Sequence, residues 1–151
     1  MVGRSLVLVV LALTGALAGI VVVGLLRTTG PHDPVVSLEE LREREVIYLE
    51  EQEIFVVYHE GEPIALSADA QHIGDKVEFC ETSRLFESEA HGEKFDIRGI
   101  YFGGPARRSL DRYRVVVQGD RVTIDISEEI EGLARNKERA LEPAGELCVP
   151  T

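Results

Sequence analysis

Usable thiols are scarce in this 151-residue chain. Its two cysteines, Cys80 and Cys148, lie far apart and form neither a C-x-x-C pair nor a zinc-type spacing, so metal binding through sulfur is not expected. Cys80, in the strand-like Val77-Glu78-Phe79-Cys80, reads as a small buried apolar residue; a bridge to Cys148 is the other reading, if the chain faces an oxidising compartment. Basic charge is also short. Lys and Arg number 16 against 27 Asp and Glu, for a net charge of −11. Arg4 and Arg27 are the only charges before residue 28, and removing those two positive charges leaves −13 for the rest. Such a surface repels phosphate backbones and excludes nucleic acid as the expected partner. No glycine loop of the phosphate-binding form is present, and neither an internal repeat nor a low-complexity block occurs. Ser88 precedes His91 by three residues, but no third group completes a nucleophilic set. The carboxylates are too numerous to single out an acid–base pair. No catalytic residue is assigned, and the chain is not expected to be an enzyme.

Long uncharged stretches are confined to one place. Residues 5–26, SLVLVVLALTGALAGIVVVGLL, carry no charge over 22 positions. At about 1.5 Å per residue they cross a hydrocarbon core of ~30 Å with room to tilt. Ala16-Leu17-Ala18 resembles a signal-peptide cleavage site, but the run exceeds the usual signal core, so a retained single-pass anchor in the lipid bilayer is expected. Gly15 and Gly19 form a G-x-x-x-G that could seat another helix. Arg4 and Arg27 nearly balance the positive-inside signal.

Downstream, residues 28–36 contain Gly30, Pro31 and Pro34 and read as a linker. Ser37-Leu38-Glu39-Glu40 has the S-x-x-E form of a capping box and predicts a short helix to about Arg44. Strand signals follow at 46–49, 54–58 and 64–66, and again at 114–117 and 121–125 around Gln118-Gly119-Asp120. These predict an all-β head. From Ser127 onward, Glu128 and Glu129 precede Arg135, Lys137 and Arg139; this charge order matches a helix dipole and predicts a short C-terminal helix before an irregular tail.

Between the strand groups lie Ala70-Gln71-His72-Ile73-Gly74-Asp75, Val77-Glu78-Phe79-Cys80, Ser88-Glu89-Ala90-His91-Gly92-Glu93, Phe95-Asp96, and Gly103-Gly104-Pro105-Ala106 leading to Leu110-Asp111-Arg112-Tyr113. In this order the segments resemble a Rieske domain of the membrane-anchored type. Its two cluster loops read C-x-H-x-G-C and C-x-C-H-G-S, ahead of a Gly-Pro-Ala-Pro loop. The resemblance covers about residues 45–126. It implies an antiparallel β-sandwich head, with 1–27 as transmembrane anchor, 28–44 as linker and short helix, and 127–151 as C-terminal helix and tail.

In a Rieske centre one iron is held by two histidines and the other by two thiolates. The resemblance places the histidine ligands on His72 and His91 and the thiolate ligands on Ala70 and Ser88. The two cysteines that brace the loops fall on Asp75 and Ala90, and the serine that donates to the cluster falls on Glu93. The second proline of the Gly-Pro-Ala-Pro loop falls on Arg107. These departures predict a degenerate iron-sulfur site and no [2Fe-2S] cofactor. A mononuclear divalent metal at His72 and His91, with Asp69, Asp75 or Glu89 as oxygen ligands, is the alternative for the same residues. Arg107, Arg108, Arg112 and Arg114 form a basic cluster, read either as internal ion pairs or as a docking patch for an acidic partner.

The resemblance also places the head on the extracytoplasmic side of the cell membrane. The family's exported members commonly use a twin-arginine signal, and no Arg-Arg precedes the apolar run here. The first function expected is a non-catalytic structural or assembly subunit of a membrane electron-transfer complex, with other subunits of that complex as partners. The others are electron transfer through an unconventional cluster or metal, and a free-standing membrane-tethered binding module.

Overall fold

Hydrophobic patterning separates strands buried on one face from strands buried on both, and the computed structural model, which describes residues 32–150, follows that division. The expected anchor at residues 5–26 lies outside the described residues; no helix among those described is long and apolar enough to cross a membrane. Ten strands and one helix follow in chain order: β1 (Val35–Ser37), α1 (Leu38–Arg44), β2 (Val46–Leu49), β3 (Ile54–His59), β4 (Glu62–Ser67), β5 (Glu78–Cys80), β6 (Leu85–Glu87), β7 (Lys94–Phe95), β8 (Tyr101–Gly103), β9 (Arg112–Gln118) and β10 (Arg121–Ile130).

The strands form a six-stranded sheet in the order β1-β10-β9-β4-β3-β2 and a four-stranded sheet in the order β5-β6-β7-β8. All the pairings are antiparallel. β3 shows why its apolar run is continuous. Ile54 and Val56 face a core shared with Leu38 and Leu41 of α1, Val122 and Ile124. Phe55 and Val57 point the other way, into a core with Leu66, Phe86, Phe95 and Leu110 that joins the two sheets. A strand covered on both faces needs no alternation. The rings of Phe55 and Phe86 meet across the sheets with centroids 4.8 Å apart.

The helix forms where the S-x-x-E pattern predicts. Ser37 is its N-cap and accepts from the Glu40 N–H. Glu40 does not close the box; its carboxylate takes Arg44 at 3.0 Å, one helical turn on. The rest of the cap comes from the β9–β10 turn, where Asp120 accepts from the Glu39 N–H at 2.9 Å and from the Ser37 hydroxyl at 2.8 Å. This turn is carried against α1 because β1, inside the segment read as linker, pairs with β10.

The expected C-terminal helix does not form. β10 runs on to Ile130, which pairs with Arg112, and the chain beyond is extended or turned, so α1 is the sole helix among the described residues. Gly132 packs so closely on the Ser109 and Leu110 carbonyls that an added Cβ would lie 2.2 and 2.5 Å from their oxygens. The charges read as matching a helix dipole serve tertiary contacts instead. Arg135 donates to the carbonyls of Ala106 and Gly104 and lies over the Tyr101 ring. Glu138 pairs with Arg98 at 2.5 Å. Charge order without an apolar stripe of period 3.6 does not hold a helix on a core.

Candidate functional site

The tail continues across the four-stranded sheet and ends in a covalent tie. Cys80 and Cys148 form a disulfide with a Cα–Cα distance of 5.9 Å, so of the two readings left open for Cys80 the bridge holds. It closes the tail over Glu87, a buried carboxylate of β6 that accepts from the Ser83 hydroxyl at 2.6 Å and the Val149 N–H at 2.7 Å. Both of the chain's cysteines are thereby used in β5 and the tail.

Two loops flank the four-stranded sheet, and backbone hydrogen bonds close each at a small residue. In the first, the Ala70 N–H donates to the Asp75 carbonyl at 2.7 Å. In the second, the Ser88 N–H donates to the Glu93 carbonyl at 2.9 Å, and the Gly92 N–H to the Ser88 carbonyl at 3.0 Å. Ala70 is buried in the inter-sheet core, and Ser88 is fully buried with a hydroxyl that has no hydrogen-bond partner.

Each loop contributes one histidine and one carboxylate, and the pairs cross between loops. His72 Nδ1 lies 3.1 Å from Glu93 Oε1, and His91 Nδ1 lies 2.5 Å from Asp75 Oδ2. The two imidazoles meet edge to face with centroids 5.4 Å apart. One ligand atom from each of His72, Asp75, His91 and Glu93 falls within 4.8 Å of the others. Burial is graded: the side chain of Glu93 is 0% exposed and that of Asp75 12%, against 29% for His72 and 44% for His91. The second Glu93 oxygen, Oε2, is buried without a partner. Ile73, between His72 and Gly74, is 67% exposed beside this cluster in sequence.

A third loop braces the pair. At Gly104, φ is +91°, and an added Cβ would lie 2.6 Å from Glu93 Cα and 2.7 Å from the Gly92 carbonyl, so glycine is required there on both counts. The Tyr101 hydroxyl and Arg135 both donate to the Gly104 carbonyl, at 2.6 and 2.9 Å. The Arg107 N–H donates to the Gln71 carbonyl, and Gln71 Nε2 to Asp111. Of the basic cluster, Arg108 pairs with Asp111 and with Glu131, and Arg112 donates to the Arg98 carbonyl. Those two are engaged internally.

Comparison with known proteins gives the same frame. The "Cytochrome b6-f complex iron-sulfur subunit" of Chlorobaculum tepidum is 27% identical over 77 residues, 51% of this chain and 42% of that protein. The protein of the same name from Chlorobaculum thiosulfatiphilum is 27% identical over 79 residues, 52% of this chain and 44% of that one. Among solved structures, the cyanobacterial plasma membrane Rieske protein PetC3 from Synechocystis PCC 6803 superposes with a TM-score of 0.50 at 23% identity, over 58% of this chain and 93% of that one. The fold is Rieske-like. The likeness to the solved structure is one of fold, and the match spans under half the length of the curated relatives. No protein-family profile matches.

Within this Rieske-like frame, His72 and His91 are brought together as the resemblance implied, with Asp75 beside them. Asp69 instead pairs with Lys76 at 2.5 Å. Glu89 does not join the cluster. Glu93 is the member that sequence reasoning missed. It stands at the position of the family's cluster-donor serine, two residues after His91, and its contact with His72 arises only in the fold.

Proposed function

We propose that this chain is a membrane-anchored Rieske-like protein that holds no [2Fe-2S] cluster and serves as a non-catalytic structural or assembly subunit of a membrane electron-transfer complex. The observation that carries the reading is the donor set at the loop tip. Where the family's four thiols would stand are Ala70, Asp75, Ser88 and Ala90, and both sulfurs of the chain are paired with each other in Cys80–Cys148. An iron served by Ala70 and Ser88 would have at most one hydroxyl from the protein, and a hydroxyl is not a thiolate. Within the cluster-binding geometry of the family the residues do not fit the cofactor.

Several observations support the remainder. The curated relatives bear the name of complex subunits, which favours partners in a membrane complex. The uncharged stretch at 5–26 suits a single-pass anchor. The Cys80–Cys148 disulfide suits a head on the oxidising, extracytoplasmic side. Exposed Ile73 offers an apolar contact at the tip. The alternative, Rieske-type electron transfer through an unconventional cluster or mononuclear metal at His72 and His91, would have to draw its remaining ligands from oxygen donors such as Asp75 and Glu93, because Ala70 has no donor atom. The test is the visible spectrum and iron content of the chain purified from its native membrane. A colourless chain in fixed ratio with cytochromes is expected. Iron-sulfur absorption assigned to this chain overturns the proposal, and a colourless chain found alone replaces it with a free-standing binding module.

A further inference from the structure

We infer that the loop tip is a mononuclear divalent-metal site built from His72, Asp75, His91 and Glu93, taking a borderline transition-metal ion of the Zn2+ class. The inference rests on the cluster-free reading, because a cluster and a single ion would use the same imidazoles.

Three features point to an ion. The first is the donor set: two imidazoles and two carboxylates are nitrogen and oxygen ligands that suit a borderline cation, and the two carboxylates neutralise a 2+ charge. The second is the spacing. Around an ion with bonds of about 2.0–2.2 Å, four tetrahedral ligand atoms sit roughly 3.4 Å apart. The contacts of 3.1 and 2.5 Å within the cross-loop pairs, and the outer limit of 4.8 Å for the set, bracket that value. Side-chain shifts on the order of 1 Å convert one arrangement into the other.

The third feature is Glu93 itself. Its side chain is 0% exposed, its Oε1 meets His72, and its Oε2 has no partner. A carboxylate oxygen buried without a partner is costly, and a cation bound between the two loops would supply the partner that Oε2 lacks. Lys94, a buried cation beside it in sequence, donates to the Gly92 carbonyl at 3.3 Å and forms no ion pair with Glu93. The surrounding scaffold is already fixed. Gly104 abuts Glu93, and backbone bonds from Ala70 to Asp75 and from Ser88 to Glu93 close the two loops. The 44% exposure of His91 leaves an entry path from solvent.

An ion held this way joins the two loops. On a chain without the family's bracing thiols, it would act as the clamp of the tip rather than as an electron carrier.

The test uses the full chain in detergent, without a polyhistidine tag and stripped of metal. Zn2+ binding is measured by titration calorimetry, and the visible spectrum of added Co2+ reports the ligands. One saturable Zn2+ site per chain is expected, with a Co2+ spectrum typical of mixed nitrogen and oxygen ligation. The His72→Ala, His91→Ala double variant should lose both signals, and Glu93→Gln, which keeps the shape of the side chain, should weaken binding by about tenfold or more. Far-ultraviolet circular dichroism checks that each variant is folded. No saturable site in the parent, or a site unchanged in both variants, overturns the inference and leaves the cluster-free reading standing. An iron-sulfur spectrum in the native chain removes both.

Discussion

Replacing Cys80 and Cys148 together by alanine should destabilise the head by about 4 kcal/mol. The bridge joins residues separated by 68 positions. Closing a loop of that length in the unfolded chain removes conformational freedom worth about 4 kcal/mol at 25 °C in the chain-entropy account, and measured effects of native disulfides run from roughly 2 to 5. The folded state adds a local consequence. Glu87, 2% exposed, accepts from Ser83, from Val149 and, at 3.4 Å, from Cys148. Two of those three donors belong to the tail, so a tail set free leaves the buried carboxylate with one. Against a total stability of about 5–15 kcal/mol, the variant becomes marginal, with a melting temperature lower by roughly 10–20 °C. Urea titration of parent and variant in the same detergent measures the difference, with equal slopes marking equal unfolding. A variant within about 1 kcal/mol of the parent would refute the reasoning. If the parent, unfolded without reductant, alkylates at two thiols, the bridge itself is wrong.

Three further perturbations test the supports of the tip and the helix. Gly104→Ala should destabilise by roughly 2–4 kcal/mol, through its positive φ and the clash with Gly92 and Glu93; it should also shift the NMR signals of His91, the neighbour of Gly92, more than those of His59 on β3. Arg135→Ala should cost about 1–2 kcal/mol by removing donors to the Gly104 and Ala106 carbonyls, whereas Lys137→Ala should be near neutral; equal effects would favour a surface helix over the observed contacts. Asp120 is held ionised by the Glu39 N–H first and the Ser37 hydroxyl second, which lowers its pKa below the usual 3.8. A depressed folded value contributes stability above 3.8 that is lost as pH falls through that lower value. Asp120→Asn should therefore have a lower urea midpoint than the parent at pH 7, with the gap closing toward pH 2; a gap independent of pH would remove the charge from the explanation.

What could be read from the sequence was local. The S-x-x-E pattern placed α1, because an N-cap is decided within four residues. The runs at 54–58 and 64–66 placed β3 and β4, and Gln118-Gly119-Asp120 placed the β9–β10 turn. Charge order alone misplaced a helix after Ser127, since the partners of Arg135 and Glu138 lie some 30–40 positions away, on the loop of Gly104 and at Arg98. The role of Glu93 was hidden for the same reason: His72 is 21 residues distant, and burial of a glutamate is not written in its neighbours. β1 was hidden by prolines, which mark a linker and an edge strand alike.

The cross-loop pairs have an energetic consequence for the proposed function. Asp75 stands where the resemblance puts one bracing cysteine, and it now reaches His91, the neighbour of Ala90 at the other bracing position. A bond that would have been covalent has become a polar contact at a partly exposed imidazole. Net hydrogen bonds contribute about 0.5–1.5 kcal/mol each, against typically 2–4 for a disulfide, so two such contacts hold the loops less firmly than a covalent brace. The chain's disulfide is spent on the tail instead, where it secures Glu87 and the four-stranded sheet. The tip is therefore the part of the head that would gain most from an added tie, and either the proposed metal ion between the four side chains or a partner subunit seated on Ile73 would supply one. These two routes differ in a measurable way. Stabilisation by Zn2+ rises with the logarithm of its free concentration and vanishes in Glu93→Gln, whereas stabilisation by a partner survives Glu93→Gln and is lost in Ile73→Asp.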